Sequence, residues 1–215
     1  KLAIRDGRAQ IYGSPVSFSS AERTDAALAL DLSGRLDIAK LRAELDLPVL
    51  RYLDGSVAWQ GGFALRDKAA TLEIESMLAG LGSSLPAPFA KQPGAELPLR
   101  VELREQQGRA RQLAVEIGGV ASAQLLLDPA AAGGLKRGAV NLGAGATLPA
   151  AIPPTAQLPP GDGLWLRGSL DALDLDAWRT VWSTVAADRD GARPGFELAG
   201  VDLRLGAVDA GSRRF

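Results

Sequence analysis

The sequence predicts a mainly β fold: an elongated, twisted antiparallel sheet curled around an apolar groove or core, with two short capping helices. Three observations carry that expectation. Apolar and polar residues alternate with period two in one run after another, as in strands with one apolar and one wetted face. The runs are short and bounded by Gly, Pro, Asp or Ser, which supply turns. Only two stretches carry the period of an amphipathic helix.

Taken in chain order, residues 8–12 and 15–19 flank Gly13-Ser14 as a hairpin. Over 27–33, Leu28, Leu30 and Leu32 share a face. The longest run, 55–66, sets Val57, Trp59, Phe63 and Leu65 on one side, and Gly61-Gly62 predicts a bend or bulge. Over 71–76, Leu72 and Ile74 oppose Glu73 and Glu75. Over 97–105, Leu97, Leu99, Val101 and Leu103 oppose Arg100, Glu102 and Arg104. Between these two runs, Pro86 and Pro88 forbid continuous pairing and mark a loop. Leu113, Val115 and Ile117 line a strand over 112–117, and further strands follow at 122–128, 136–142, 164–170 and 196–205.

Asp37 is placed to cap a helix over 38–45, in which Ile38, Leu41 and Leu45 share a face and which Pro48 ends. Asp174 or Asp176 is placed to cap a second helix reaching to about Ala187. There Trp178, Val181, Trp182 and Val185 form one stripe, read as a face docked on the sheet, with Gly191 just beyond. A weak repeat links the two helices. Ser33-Gly34-Arg35-Leu36-Asp37 precedes the first and Arg167-Gly168-Ser169-Leu170-Asp171 the second. The organisation is therefore a β-rich segment over 1–147 with one helix, a Pro-rich crossing over 148–162, and a continuation of the sheet with the second helix over 163–215.

Composition narrows the function classes. The chain has 215 residues, 47% hydrophobic and 23% charged, enough to fold and bury a core. Net charge is −1 and the basic residues are scattered, without the patch that nucleic-acid binding needs. There is no cysteine and no histidine, which removes disulfides, Ser-His-Asp and Cys-His triads, and His- or Cys-based metal sites. No apolar run approaches the roughly 20 residues of a membrane-spanning helix. The chain opens on Lys1 with Leu2-Ala3-Ile4 already strand-like and closes on Arg213-Arg214-Phe215, so both ends read as cut from a longer polypeptide.

Other constellations have plain readings. Glu73 and Glu75 share a face as paired carboxylates do, but a solvated strand face accounts for them. Asp171, Asp174 and Asp176 lack the spacing and closing Glu of a calcium loop; capping accounts for them better. Gly143-Ala144-Gly145 and Gly133-Gly134-Leu135-Lys136 are incomplete as phosphate loops and read as turns. The expectation is a protein without catalytic residues, metal or cofactor.

The stretch Ser76–Lys91 matches SxLxGLxSxLPAPxxK, following GSVAWQGGF from Gly55 and Glu73-Ile74-Glu75. With RAQIYGSPVSF before it and GSLDALDLDAW after it, this resembles the large AsmA-like proteins of the YhdP type, from about residue 8 to 205. The resemblance implies a periplasmic protein of Gram-negative bacteria, anchored by one N-terminal inner-membrane helix and reaching towards an outer-membrane partner. It further implies kinship with bridge-like lipid-transfer proteins, whose curved sheet forms an apolar groove for phospholipid acyl chains. This chain would be an internal segment. The groove-lining candidates are then Leu30, Val57, Trp59, Phe63, Leu72, Ile74, Leu99, Val101, Leu103, Val115 and Ile117. Three functions stay open: a phospholipid conduit, a structural spacer or protein-docking module with a filled core, and a carboxylate-based β-sandwich hydrolase. The Pro86/Pro88 loop is read as a plug that hides Leu85 and Phe89.

Overall fold

A computed structural model describes residues 4–22, 26–106, 110–131, 134–143, 158–187, 197–211 and 213–214. The chain begins with a hairpin of β1 (Gly7–Ile11) and β2 (Ser14–Ser20). Its turn is Tyr12-Gly13, with φ of 48° and 67°, one residue earlier than predicted. Two positive φ values match the twist that joins strands through two residues.

β3 (Leu28–Asp37) runs directly into α1 (Ile38–Glu44). The Asp37 carboxylate accepts from the backbone N–H groups of Ala39 at 2.9 Å and Lys40 at 3.3 Å, as the sequence predicts. Pro48 does more than end this helix: Pro48–Tyr52 forms a 3-10 turn. Arg42 ties that turn down, its guanidinium donating to the carbonyls of Leu50 at 2.9 Å and Leu53 at 2.6 Å.

β4 (Leu53–Arg66) and β5 (Ala69–Ser76) follow, then short β6 (Leu81–Ser83), which pairs with the first residues of β4. β3 and β4 stay in continuous register through Gly61 and Gly62, so no bulge forms there. A Cβ on Gly61 would lie 2.1 Å from the Glu73 carbonyl oxygen; the glycine serves close strand approach instead. The register shifts fall elsewhere, at Leu135/Arg137 and Leu164/Trp165.

β7 (Leu99–Gln106), β8 (Arg111–Ile117), β9 (Ala121–Leu127), β10 (Leu135–Gly143) and β11 (Gly163–Leu170) extend the sheet. After β11 come β12 (Leu173–Asp174), α2 (Leu175–Ala187), β13 (Leu198–Leu205), β14 (Val208–Ala210) and β15 (Arg213–Arg214). Among the described residues the main sheet has twelve strands in the order β1-β2-β3-β4-β5-β7-β8-β9-β10-β11-β13, with β6 beside β4; β12, β14 and β15 form a small second sheet. The fold is the mainly β one expected. Pairing is antiparallel from β1 to β10, but β11 lies parallel to both β10 and β13. Parallel neighbours need a long crossover, and the segments before and after β11 are long enough to supply one. The predicted crossing falls largely on residues 148–157, and Gly191 on 191–196; both lie outside the described residues.

One cluster of the buried core gathers at a single end. It joins Ile38, Val57, Leu78 and Leu81, with Leu36, Leu41, Leu53, Leu97 and Leu99 packed around it. These residues come from the end of β3, from α1, from the start of β4 and from the loop between β5 and β7. This cluster closes one end of the sheet, called the capped end below; further buried apolar residues, among them Ala29, Ala64, Ala114, Leu126 and Ala139, lie along the sheet.

Candidate functional site

The site is a face, built by register. Directly opposed residues in neighbouring strands point the same way, so the pairings assemble ranks that cross the strands. One rank runs Leu30, Phe63, Leu72, Leu103, Leu113 and Leu125. The next begins Leu32, Gly61, Ile74, Val101 and Val115, and continues through Ala123, Val140 and Leu166 to Val201. A third carries Leu99, Ile117, Ala121, Leu142 and Leu203. Trp59 lies opposite Gly34, and Val57 opposite Leu36, towards the capped end. All the predicted lining residues thus share one face.

Their burial divides them. Val57 is only 6% exposed and belongs to the capped-end core, and Leu99 packs against that core. Leu30, Trp59, Phe63, Leu72, Ile74, Leu99, Val101, Leu103, Val115 and Ile117 are half-buried. Large apolar side chains sealed beneath a second layer would be buried outright. Over β5 and β7 to β11 the larger side chains of this face mostly keep contact with solvent, while Ala121 and Leu170 on it are buried. The edge strand is barer, with Val201 54% exposed.

The opposite face carries the charged residues, interspersed with the buried Ala29, Ala64, Ala114, Leu126 and Ala139. Glu73 and Glu75 are exposed there, Glu75 opposite Arg100 and Glu73 opposite Glu102. Glu102 is 2% exposed and forms ion pairs with Arg100, at 3.6 Å, and Arg104. Two clefts of about 590 and 1030 Å³ indent this polar side over β1 to β8. Ser17, Ser33 and Glu75 line both. Asp174 caps α2 by accepting from the Ala177 N–H at 2.8 Å, and Asp176 accepts from the Gly211 N–H. Among the described residues no three Asp or Glu side chains converge on a common metal position.

The motif Ser76–Lys91 builds the capped end. Ser76 Oγ donates to the Ala58 carbonyl at 2.7 Å and accepts from the Leu78 N–H at 3.0 Å. That turn aims Leu78 and Leu81 into the core. Gly80, with φ 92°, sits where a Cβ would lie 2.5 Å from the Ser56 carbonyl oxygen. Lys91 Nζ donates to the carbonyls of Leu81 at 2.8 Å and Gln92 at 3.2 Å, pinning the loop back onto itself. In the Pro86/Pro88 loop Leu85 is half-buried, and Phe89 meets the Trp178 ring edge-on with centroids 5.9 Å apart.

α2 corrects one expectation. Its aromatic stripe does not dock as a unit on the sheet: Trp178 packs on the Pro86/Pro88 loop, and Trp182 is 63% exposed. The apolar face also reaches further than the predicted list, to Val140, Leu142, Leu164, Leu166, Val201 and Leu203. Alternation over 136–142, 164–170 and 196–205 already held that signal.

No curated protein and no solved structure matches this chain. A family model described as YhdP protein does, over residues 2–215. Every position of SxLxGLxSxLPAPxxK is occupied, and most have a structural task in the capped end. The chain belongs to the YhdP family of AsmA-like proteins.

Proposed function

We propose that this chain is a segment of a periplasmic, inner-membrane-anchored conduit that carries phospholipid acyl chains between the inner and outer membranes. The observation that supports it is the apolar face running from β3 to β13, half-buried over much of its extent and, among the described residues, not sealed by a second layer beyond the capped end. An acyl chain lying across the strands meets mostly leucine, isoleucine and valine, with glycine or alanine between, at steps of about 4.8 Å. Each methylene that leaves water there contributes about 0.8 kcal/mol. The contact is non-directional, so a chain shifts from one strand to the next with little change in energy. The polar headgroup stays in water beyond the face. Directed transport then depends on the membrane anchor and an outer-membrane partner, and the segment performs no bond chemistry and needs no cofactor.

Native mass spectrometry and lipid extraction of the purified chain test this. The expected result is phospholipid at about one molecule per chain or more. Protein that is lipid-free, and that takes up no fluorescent fatty acid, overturns the reading in favour of a spacer or docking module.

A further inference from the structure

Trp178 belongs to the connection between β11 and β13, and Ala87 and Phe89 belong to the loop after β6. Yet the Trp178 indole Nε1 donates to the Ala87 carbonyl at 2.9 Å. The Trp178 and Phe89 rings meet at 84°. Two residues earlier, Asp176 accepts from the N–H of Gly211, just past β14. The first turns of α2 therefore join the β4 side of the capped end to the β11–β13 side.

Along the sheet those two sides are far apart. The path from β4 to β11 passes β5, β7, β8, β9 and β10. At about 4.8 Å per strand it spans roughly 29 Å if flat. A helix is about 10–12 Å across. One stretch of α2 reaches both sides because the sheet curls and draws that end together. The fastening on the β4 side includes one hydrogen bond, one ring edge and contact with the Pro48–Tyr52 turn, and Val181 on the same helix is buried. The next aromatic along the helix, Trp182, adds little, being 63% exposed.

We infer that α2 is a releasable strap that holds the capped end of the apolar face curled, with Trp178 as its fastening. Releasing it lets the β11–β13 side swing away from the Pro86/Pro88 loop and widens that end of the face. The strap stands on geometry alone. Its consequence for cargo, faster exchange of acyl chains at the capped end, rests on the conduit reading.

The chain has no cysteine, so a single introduced pair can be labelled cleanly. Spin labels at Ala90→Cys on the loop and Ser183→Cys on α2, both exposed positions, report the gap by pulsed electron resonance. The parent should show one narrow distance distribution. Trp178→Ala should add a longer, broad component, with far-UV circular dichroism still reporting the full sheet. Trp178→Phe keeps the ring edge and loses the hydrogen bond, and Phe89→Leu does the reverse; each should show a smaller long component. Distributions identical to the parent in all three variants overturn the strap. So does a Trp178→Ala chain that loses its sheet while the two milder variants stay identical to the parent. Release of a fluorescent fatty acid, followed in the same variants, should quicken several-fold. Longer distances with unchanged release keep the strap and count against the conduit reading.

Discussion

Val101→Asp distinguishes an open apolar face from a filled core. Val101 lies between Ile74 and Val115 in register, half-buried, on a rank with no charged residue. Half of a valine's burial is worth about 1 kcal/mol. The poorer fit of aspartate to a strand adds up to about 1 kcal/mol. An unpaired carboxylate sealed in a core would cost several kcal/mol more, but at a half-exposed position it keeps its water. The expected cost is therefore about 2 kcal/mol, or about 4–8 °C in Tm for a chain of this size. The protein should stay folded while its lipid load collapses, because the charge stands where acyl chains would lie. Urea unfolding and lipid extraction on the same sample check both halves. Insolubility, or a loss above about 4 kcal/mol, would refute the claim that this face is open. A folded variant with a full lipid load would refute an acyl path over β7.

Two further substitutions probe the frame around the face. Asp37→Ala removes both side-chain bonds to the start of α1, and should cost about 1 kcal/mol in chemical denaturation with lipid load unchanged; no loss of stability would show the cap to be redundant. Glu73→Gln with Glu75→Gln alters only exposed groups on the polar face, one of them opposite Glu102. Stability should move by no more than about 0.5 kcal/mol and lipid load not at all, and a marked loss of lipid would relocate the site to the polar side.

Which face each strand residue occupies was legible in the sequence, because side chains alternate along a strand whatever its neighbours are. Leu72 and Ile74 point away from Glu73 and Glu75 by that rule alone, and the registers agree. Local hydrogen bonding was equally legible: Asp37 caps α1 through groups two and three residues away. Alternation says nothing of strand direction or cover, and these only the tertiary structure decided. It made β11 parallel to its neighbours, and placed Val57 beneath α1 while leaving Val101, on the same face, half-open. It also separated Trp178 from Trp182, which share one helical stripe. Trp178 found a carbonyl 91 residues earlier in the chain, and Trp182 was left in solvent. A contact over that distance depends on how the whole sheet curls, and no local pattern encodes it.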